Sequence, residues 1–166
     1  MKKLKILVCA FVALSVSRVN AQSISSKDDI LTAYYGVKNA LITGNSSATG
    51  AKAKELLSAL SSFPADQLTA GDKAAWLKYT GKLQSDVRDV AEGSDISRQR
   101  EHFASLSENM YNLIKALKLN SAMVYKAYCP MKKSYWLSES AAIKNPYYGN
   151  QMLTCGEVQE TLPAVK

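Results

Sequence analysis

Histidine is almost missing from this chain: its 166 residues include one, His102. That scarcity removes the His-Glu-x-x-His zinc-hydrolase helix, which needs two imidazoles one turn apart. There is no Gly-x-Ser-x-Gly elbow and no glycine loop of the kind that cradles phosphates. We therefore read the chain as non-catalytic and assign it no catalytic residue. Lys and Arg outnumber Asp and Glu by 21 to 14. No basic run is interleaved with aromatics, however, so the sequence speaks against a nucleic-acid partner. Cysteine is sparse as well, limited to Cys9, Cys129 and Cys155. No internal repeat is present. The uncharged stretch from Ile6 to Val16 falls well short of the roughly 20 residues that span a bilayer.

What that stretch does resemble is the middle of a secretory signal. Met1-Lys2-Lys3-Leu4-Lys5 supplies a basic start, and Val19-Asn20-Ala21 places small residues before Gln22. The expectation is a cleaved signal over residues 1–21 and one domain over 22–166, exported and with no stable membrane anchor after cleavage. Cys9 falls inside the signal, preceded by Val8, which is bulkier than lipoprotein processing normally tolerates. Lys2, Lys3, Lys5 and Arg18 leave with the signal, so the net charge drops from +7 to +3. The remaining cysteines, Cys129 and Cys155, face a compartment in which a disulfide persists.

Residues 28–119 carry helical spacing. Asp28 and Asp29 suit a first turn, with helix start near Ser26. Ile30, Tyr34, Val37 and Leu41 then follow at intervals of four, three and four. Gly44-Asn45 ends that run. Ala53, Leu56, Leu60 and Phe63 line a second, stopped by Pro64. A third begins over Leu68 to Gly71, carries Trp76, Leu83, Val87 and Val90, and closes at Gly93. Ser94-Asp95 caps a fourth. There Ile96, Phe103, Met110 and Leu117 recur every seven residues, with Leu106 and Leu113 between them. Short connections favour antiparallel neighbours. The predicted fold is mainly α, an up-and-down four-helix bundle with a C-terminal Cys/Met-containing irregular or β-ribbon segment over about 120–163. In that segment Met123 to Cys129 and Tyr135-Trp136-Leu137 read as extended, and Asn145-Pro146-Tyr147-Tyr148-Gly149 as a turn. Gln151 to Thr161 reads as a last strand or turn.

The chemistry is concentrated in sulfur. Cys129 and Met131 lie in one half of the C-terminal segment, Met152 and Cys155 in the other. If the halves meet, two thiolates and two thioethers converge. These soft donors select Cu(I), and thiolate also suits zinc. The competing reading is a Cys129–Cys155 disulfide that staples a non-catalytic interaction module. A zinc ribbon is not indicated, because neither half has a second cysteine. His102 is a further nitrogen donor candidate, with Met110 two turns along the same helix; a surface role or core packing serves either residue equally well. Pairing His102 with Cys129 or Cys155 as a thiol nucleophile has no support in the flanking residues.

Several strings together resemble a known family. They are Tyr128-Cys129-Pro130-Met131, Tyr135-Trp136-Leu137-Ser138, Ile143-Lys144-Asn145-Pro146-Tyr147-Tyr148-Gly149 and Met152-Leu153-Thr154-Cys155-Gly156, with Arg100-Glu101-His102-Phe103 and Leu106-Ser107 upstream. They are similar, over nearly all of the chain after residue 21, to the periplasmic domain-of-unknown-function family 3347 of Gram-negative bacteria. The resemblance implies a small helical domain, found alone or attached to adaptor subunits of copper/silver-type efflux pumps. It thereby implies a periplasmic metal-handling role, with such an adaptor or another periplasmic protein as partner. Tyr128-Cys129-Pro130-Met131 also resembles the opening of heavy-metal-binding hairpins that continue His-Pro and end Cys-Pro-x-Cys-Gly-Met. Here Lys132-Lys133 replaces His-Pro, and only Cys155-Gly156 survives of the ending, followed by Glu157. Carry-over reaches Cys129, Met131 and Cys155, with Met152 as a substitute donor. The expectation is a copper-first soft-metal binder, an accessory or carrier in heavy-metal efflux or resistance.

Overall fold

The computed structural model describes residues 26–165. The segment read as a signal, and Cys9 within it, lie outside the described residues. Helix α1 (Lys27–Thr43) starts at a reciprocal cap. The Ser26 hydroxyl accepts the Asp29 N–H at 3.2 Å, and the Asp29 carboxylate accepts the Ser26 N–H at 2.6 Å. Gly44, at φ 74°, takes the left-handed conformation that closes the helix. Asn45 then caps α2 (Ser46–Ser61) by accepting the Ala48 N–H. A short 3-10 turn (Ala65–Gln67) follows Pro64, and Thr69 caps α3 (Ala70–Glu92). Asp95 caps α4 (Ile96–Leu117), accepting N–H groups from Ser97 and Arg98. Each cap removes an orphan donor that a helix start would otherwise leave bare.

Each helix packs on the next, α1 on α2, α2 on α3 and α3 on α4, giving a helical bundle. Its core takes Ile30, Tyr34, Val37 and Leu41 from α1, and Ala53, Leu56 and Leu60 from α2. Trp76, Leu83, Val87 and Val90 come from α3; Phe103, Leu106, Met110 and Leu113 come from α4. The seven-residue seam of α4 is therefore buried as its spacing predicts, except that Ile96 is only half covered at the helix start. Phe63 is also half covered, and its ring stacks on Trp76 at 4.4 Å. Among the described residues no helix is long and apolar enough to cross a membrane.

The C-terminal segment is a three-stranded antiparallel sheet in the order β2-β1-β3, built from β1 (Val124–Cys129), β2 (Ser134–Ser138) and β3 (Glu157–Leu162). The alternative of an irregular segment is thereby replaced. β1 is central, pairing Ala127 with Trp136 and Cys129 with Ser134 on one side, and Tyr128 with Glu157 on the other. The β3 pairing skips a residue between Lys126 and Ala127, so Gln159 forms a bulge. Alternation puts Ala127, Cys129 and Trp136 on one face and Lys126, Tyr128 and Tyr135 on the other. On that second face the Lys126 ammonium lies 3.7 Å from the ring centre of Tyr111 in α4 and 4.2 Å from that of Tyr135. Tyr111 and Lys115 of α4 also hold Glu160 of β3, at 2.5 and 3.0 Å.

Three further side chains, Tyr34, Lys38 and Arg100, fasten the C-terminal segment to the helices. The buried Tyr34 hydroxyl lies 2.7 Å from Ser107 Oγ on α4 and accepts the Leu137 N–H of β2 at 3.0 Å. Lys38, only 3% exposed, donates to Glu139 at 2.6 Å just beyond β2. Arg100 of α4 donates to the Leu41 carbonyl of α1 and the Pro146 carbonyl, both at 3.0 Å.

Tyr34→Phe leaves the Leu137 N–H buried without an acceptor and should cost about 1–3 kcal/mol, read as a lower urea midpoint. Burial is the largest single influence on the Glu139 carboxyl and works to raise it, but the Lys38 hydrogen bond and charge, a backbone N–H and Asn39 together outweigh it and hold the group below its ordinary 4.5. A carboxylate lowered in the folded state stabilises the fold above its ordinary value and loses that contribution as pH falls through the lowered one. Stability should therefore decline on acidification below 4.5, and less steeply in Glu139→Gln. Urea midpoints measured from about pH 6 to about pH 3 check the difference.

Candidate functional site

β1 ends in Cys129, whose side chain is fully buried. Pro130 to Lys133 then turn the chain into β2. Lys133 takes a left-handed φ of 54°, and its N–H returns to the Cys129 carbonyl at 2.8 Å. This tight turn aims the Lys132 N–H at Cys129 Sγ, 3.4 Å away.

A second donor arrives from the other side. Asn145, wholly buried, donates from Nδ2 to Cys129 Sγ at 3.2 Å and to the Cys155 carbonyl at 2.7 Å. Its Oδ1 accepts the Tyr147 N–H at 2.9 Å. That last bond fixes which end of the amide faces the sulfur: a flipped amide would turn Oδ1 towards the Cys155 carbonyl and Nδ2 towards an N–H. The Asn145 backbone is also engaged, its N–H with Leu153 O and its carbonyl with the Gly149 N–H. The loop from 145 to 155 is thus folded around one side chain. It ends by bringing Cys155 beside Cys129.

The two glycines of this region answer to close approaches. Gly149 has a φ of 55°, and a Cβ there would sit 2.7 Å from both Arg100 Nη2 and Ile42 O. Gly156 has a φ of 143°, and its Cβ would meet the Trp136 ring at 2.7 Å and Tyr128 O at 2.8 Å. The chain after Cys155 passes flat beneath the indole. Tyr147 completes the packing: its ring lies against Phe103 and edge-on to Trp136, and its hydroxyl donates to the Tyr135 carbonyl.

Both cysteines are free thiols, Cys129 buried and Cys155 half-buried. Partial burial pushes the Cys155 thiol up, and the neighbouring Cys129 sulfur adds to this. The other predicted donors are placed unequally. Met152 is half-buried and joined to Cys155 by a turn, its carbonyl accepting the Cys155 N–H at 3.1 Å. Met131 is 63% exposed at the hairpin tip. His102 points its Nδ1 at Asp89 of α3, 3.6 Å away. It lies about 100° round α4 from Phe103, the residue that packs on Tyr147. Met110 is entirely in the core, so the pairing of His102 with Met110 towards one side is not formed. Core packing took the methionine and an acidic neighbour took the histidine.

Among the described residues no three His, Cys, Asp or Glu side chains gather as a metal site. A hard or borderline ion that needs a full set of such donors is poorly served. Two thiols are neighbours here, with Met131 two residues from Cys129 and Met152 three from Cys155 along the chain. Sequence reasoning did not find the sulfur's own partners, Asn145 and the Lys132 N–H. In sequence the Asn-Pro pair signals only a turn.

The family model described as protein of unknown function (DUF3347) matches residues 30–122. The chain belongs to the DUF3347 family. The DUF3347 match takes in almost all of α1, then α2 to α4, and stops just short of β1. It is therefore narrower than the resemblance over nearly the whole chain, and the strand-borne cysteines lie beyond it. No curated protein and no solved structure matches the chain.

Gly156→Ala forces a side chain into a backbone conformation that only glycine holds without strain, against the indole. It should cost about 1–3 kcal/mol and, by pushing the chain off Trp136, shift its fluorescence emission. Urea titration followed by that emission reads both effects.

Proposed function

We propose that this chain is a periplasmic soft-metal binder, copper first, acting as an accessory or carrier in heavy-metal efflux or resistance and not as an enzyme. The observation that supports this most directly is the convergence on Asn145: one amide holds the sulfur of Cys129 and the carbonyl of Cys155 together. Two thiols from distant parts of the chain are thus neighbours without being bonded. Cys129 accepts two N–H hydrogen bonds, which hold its sulfur in place beside Cys155. Cys155 gives an ion its way in, because it is half-exposed while Cys129 is covered. Met131 lies two residues from Cys129 and is the freer thioether, and Met152 lies three residues from Cys155; either completes a three-sulfur set for Cu(I). His102 stands outside this set.

The scaffold suits a carrier. Short connections favour an up-and-down order of helices, and the sheet rides on the bundle as a rigid platform. The exposed tip that carries Met131 also carries Lys133, which leaves the rim of the site open to another protein. A heavy-metal efflux adaptor is the partner class that the family resemblance implies.

Anaerobic Cu(I) titration against a chromophoric chelator tests the reading. One equivalent should bind to the reduced protein. Cys129→Ser and Cys155→Ser should each abolish stoichiometric binding, while Met131→Leu and Met152→Leu weaken it less, since a thioether brings softness without charge. His102→Ala should leave it unchanged. Asn145→Ala should weaken it by about 10–100-fold, the usual effect of removing a group that orients a ligand. Affinity should fall as pH is lowered, because the thiols must lose their protons. Full affinity in the Cys129→Ser/Cys155→Ser double variant would exclude the site.

A further inference from the structure

The two sulfurs differ in burial and in hydrogen bonding. Cys129 is fully covered and receives two N–H donors, from Lys132 at 3.4 Å and Asn145 at 3.2 Å. Cys155 is half-open, on a loop that ends at the glycine beneath Trp136. In thiol–disulfide exchange, accessibility decides which sulfur is attacked, and stabilisation of the departing thiolate decides how fast it leaves. Here those two properties fall on different residues.

We propose that Cys129 and Cys155 form a reversible dithiol–disulfide couple with divided roles, Cys155 exchanging with external thiols and disulfides and Cys129 serving as leaving and resolving thiolate. In the reducing direction a small thiolate attacks Cys155 Sγ. A bond forms between its sulfur and Cys155, the Cys129–Cys155 bond breaks, and the electron pair departs on Cys129 Sγ. The Lys132 and Asn145 N–H groups receive that charge. A second thiolate then attacks the external sulfur of the mixed disulfide, releasing the external disulfide and the Cys155 thiolate, which takes a proton from water. In the oxidising direction Cys155 attacks an external disulfide, expelling one thiolate. Cys129 then attacks Cys155 Sγ, expels the second, and closes the protein disulfide. Two electrons pass to the external disulfide in all.

The couple stands whether or not a metal binds, so its test uses metal-free protein held in a chelator. The reduced protein is mixed with glutathione disulfide, quenched in acid and weighed by mass spectrometry. Wild type should lose two hydrogens and retain no glutathione. Cys129→Ser should retain one glutathione, on Cys155. Cys155→Ser should stay unmodified while folded and become modified once urea exposes Cys129. Reduction of the oxidised protein by glutathione should be about three- to tenfold slower in Asn145→Ala, as the departing thiolate loses one of its two N–H donors. Circular dichroism establishes that each variant is folded. Stable glutathione on wild type, failure of the disulfide to close, or equal modification of folded Cys155→Ser overturns the proposal. None of these results bears on Cu(I) binding by the reduced protein, which the titration above reads separately.

Discussion

A single carboxamide holds the C-terminal segment of this molecule in place. Asn145 spends both amide hydrogens and its oxygen inside the protein, on Cys129 Sγ, the Cys155 carbonyl and the Tyr147 N–H. Its backbone closes two further bonds within the same loop. A buried amide that left any of these unmade would cost the desolvation of the orphaned group, so the loop has one favourable closure. That closure sets the separation of the two thiols. It also delivers the chain to Gly156 at the height where it slides under Trp136.

The helices contribute by holding that platform still. Tyr34 reaches from α1 to both α4 and β2, Lys38 reaches from α1 to Glu139, and Arg100 ties α1 and α4 to the loop at Pro146. These bonds join α1 to α4 and the bundle to the C-terminal segment, and each is at least partly shielded from water, where hydrogen bonds are stronger and more directional. The sheet therefore does not hang from the bundle as a separate ribbon. Motion of α1 against α4 would be felt at the Cys129 turn through β2, whose first residue pairs with Cys129 itself.

The bundle was legible in the sequence because its signals are local. Ser26 and Asp95 sit where orphan N–H groups need acceptors, and Phe103, Leu106, Met110 and Leu113 repeat at a helix's own period. The strand positions were nearly legible, since valine and aromatic content marks extended chain over short stretches. The site was legible only as a list of sulfurs. That Cys129 and Cys155 meet depends on a loop closing around Asn145, and nothing in the spacing of Asn-Pro distinguishes a hub from an ordinary turn. His102 misled for the converse reason: a one-dimensional spacing to Met110 says nothing of Asp89 on the neighbouring helix, which is what its ring faces.

The position of Trp136 over Gly156 has an optical consequence. The indole is buried, and the backbone it covers belongs to the residue next to Cys155. The chain's second tryptophan, Trp76, is stacked on Phe63 at the α2–α3 junction and away from the strands. Indole emission is quenched by sulfur and by heavy ions at contact range, so chemistry at Cys155 is written into the fluorescence of one of the two tryptophans. With Trp76 replaced by phenylalanine, the protein would carry a single built-in lamp, trained on its own thiols.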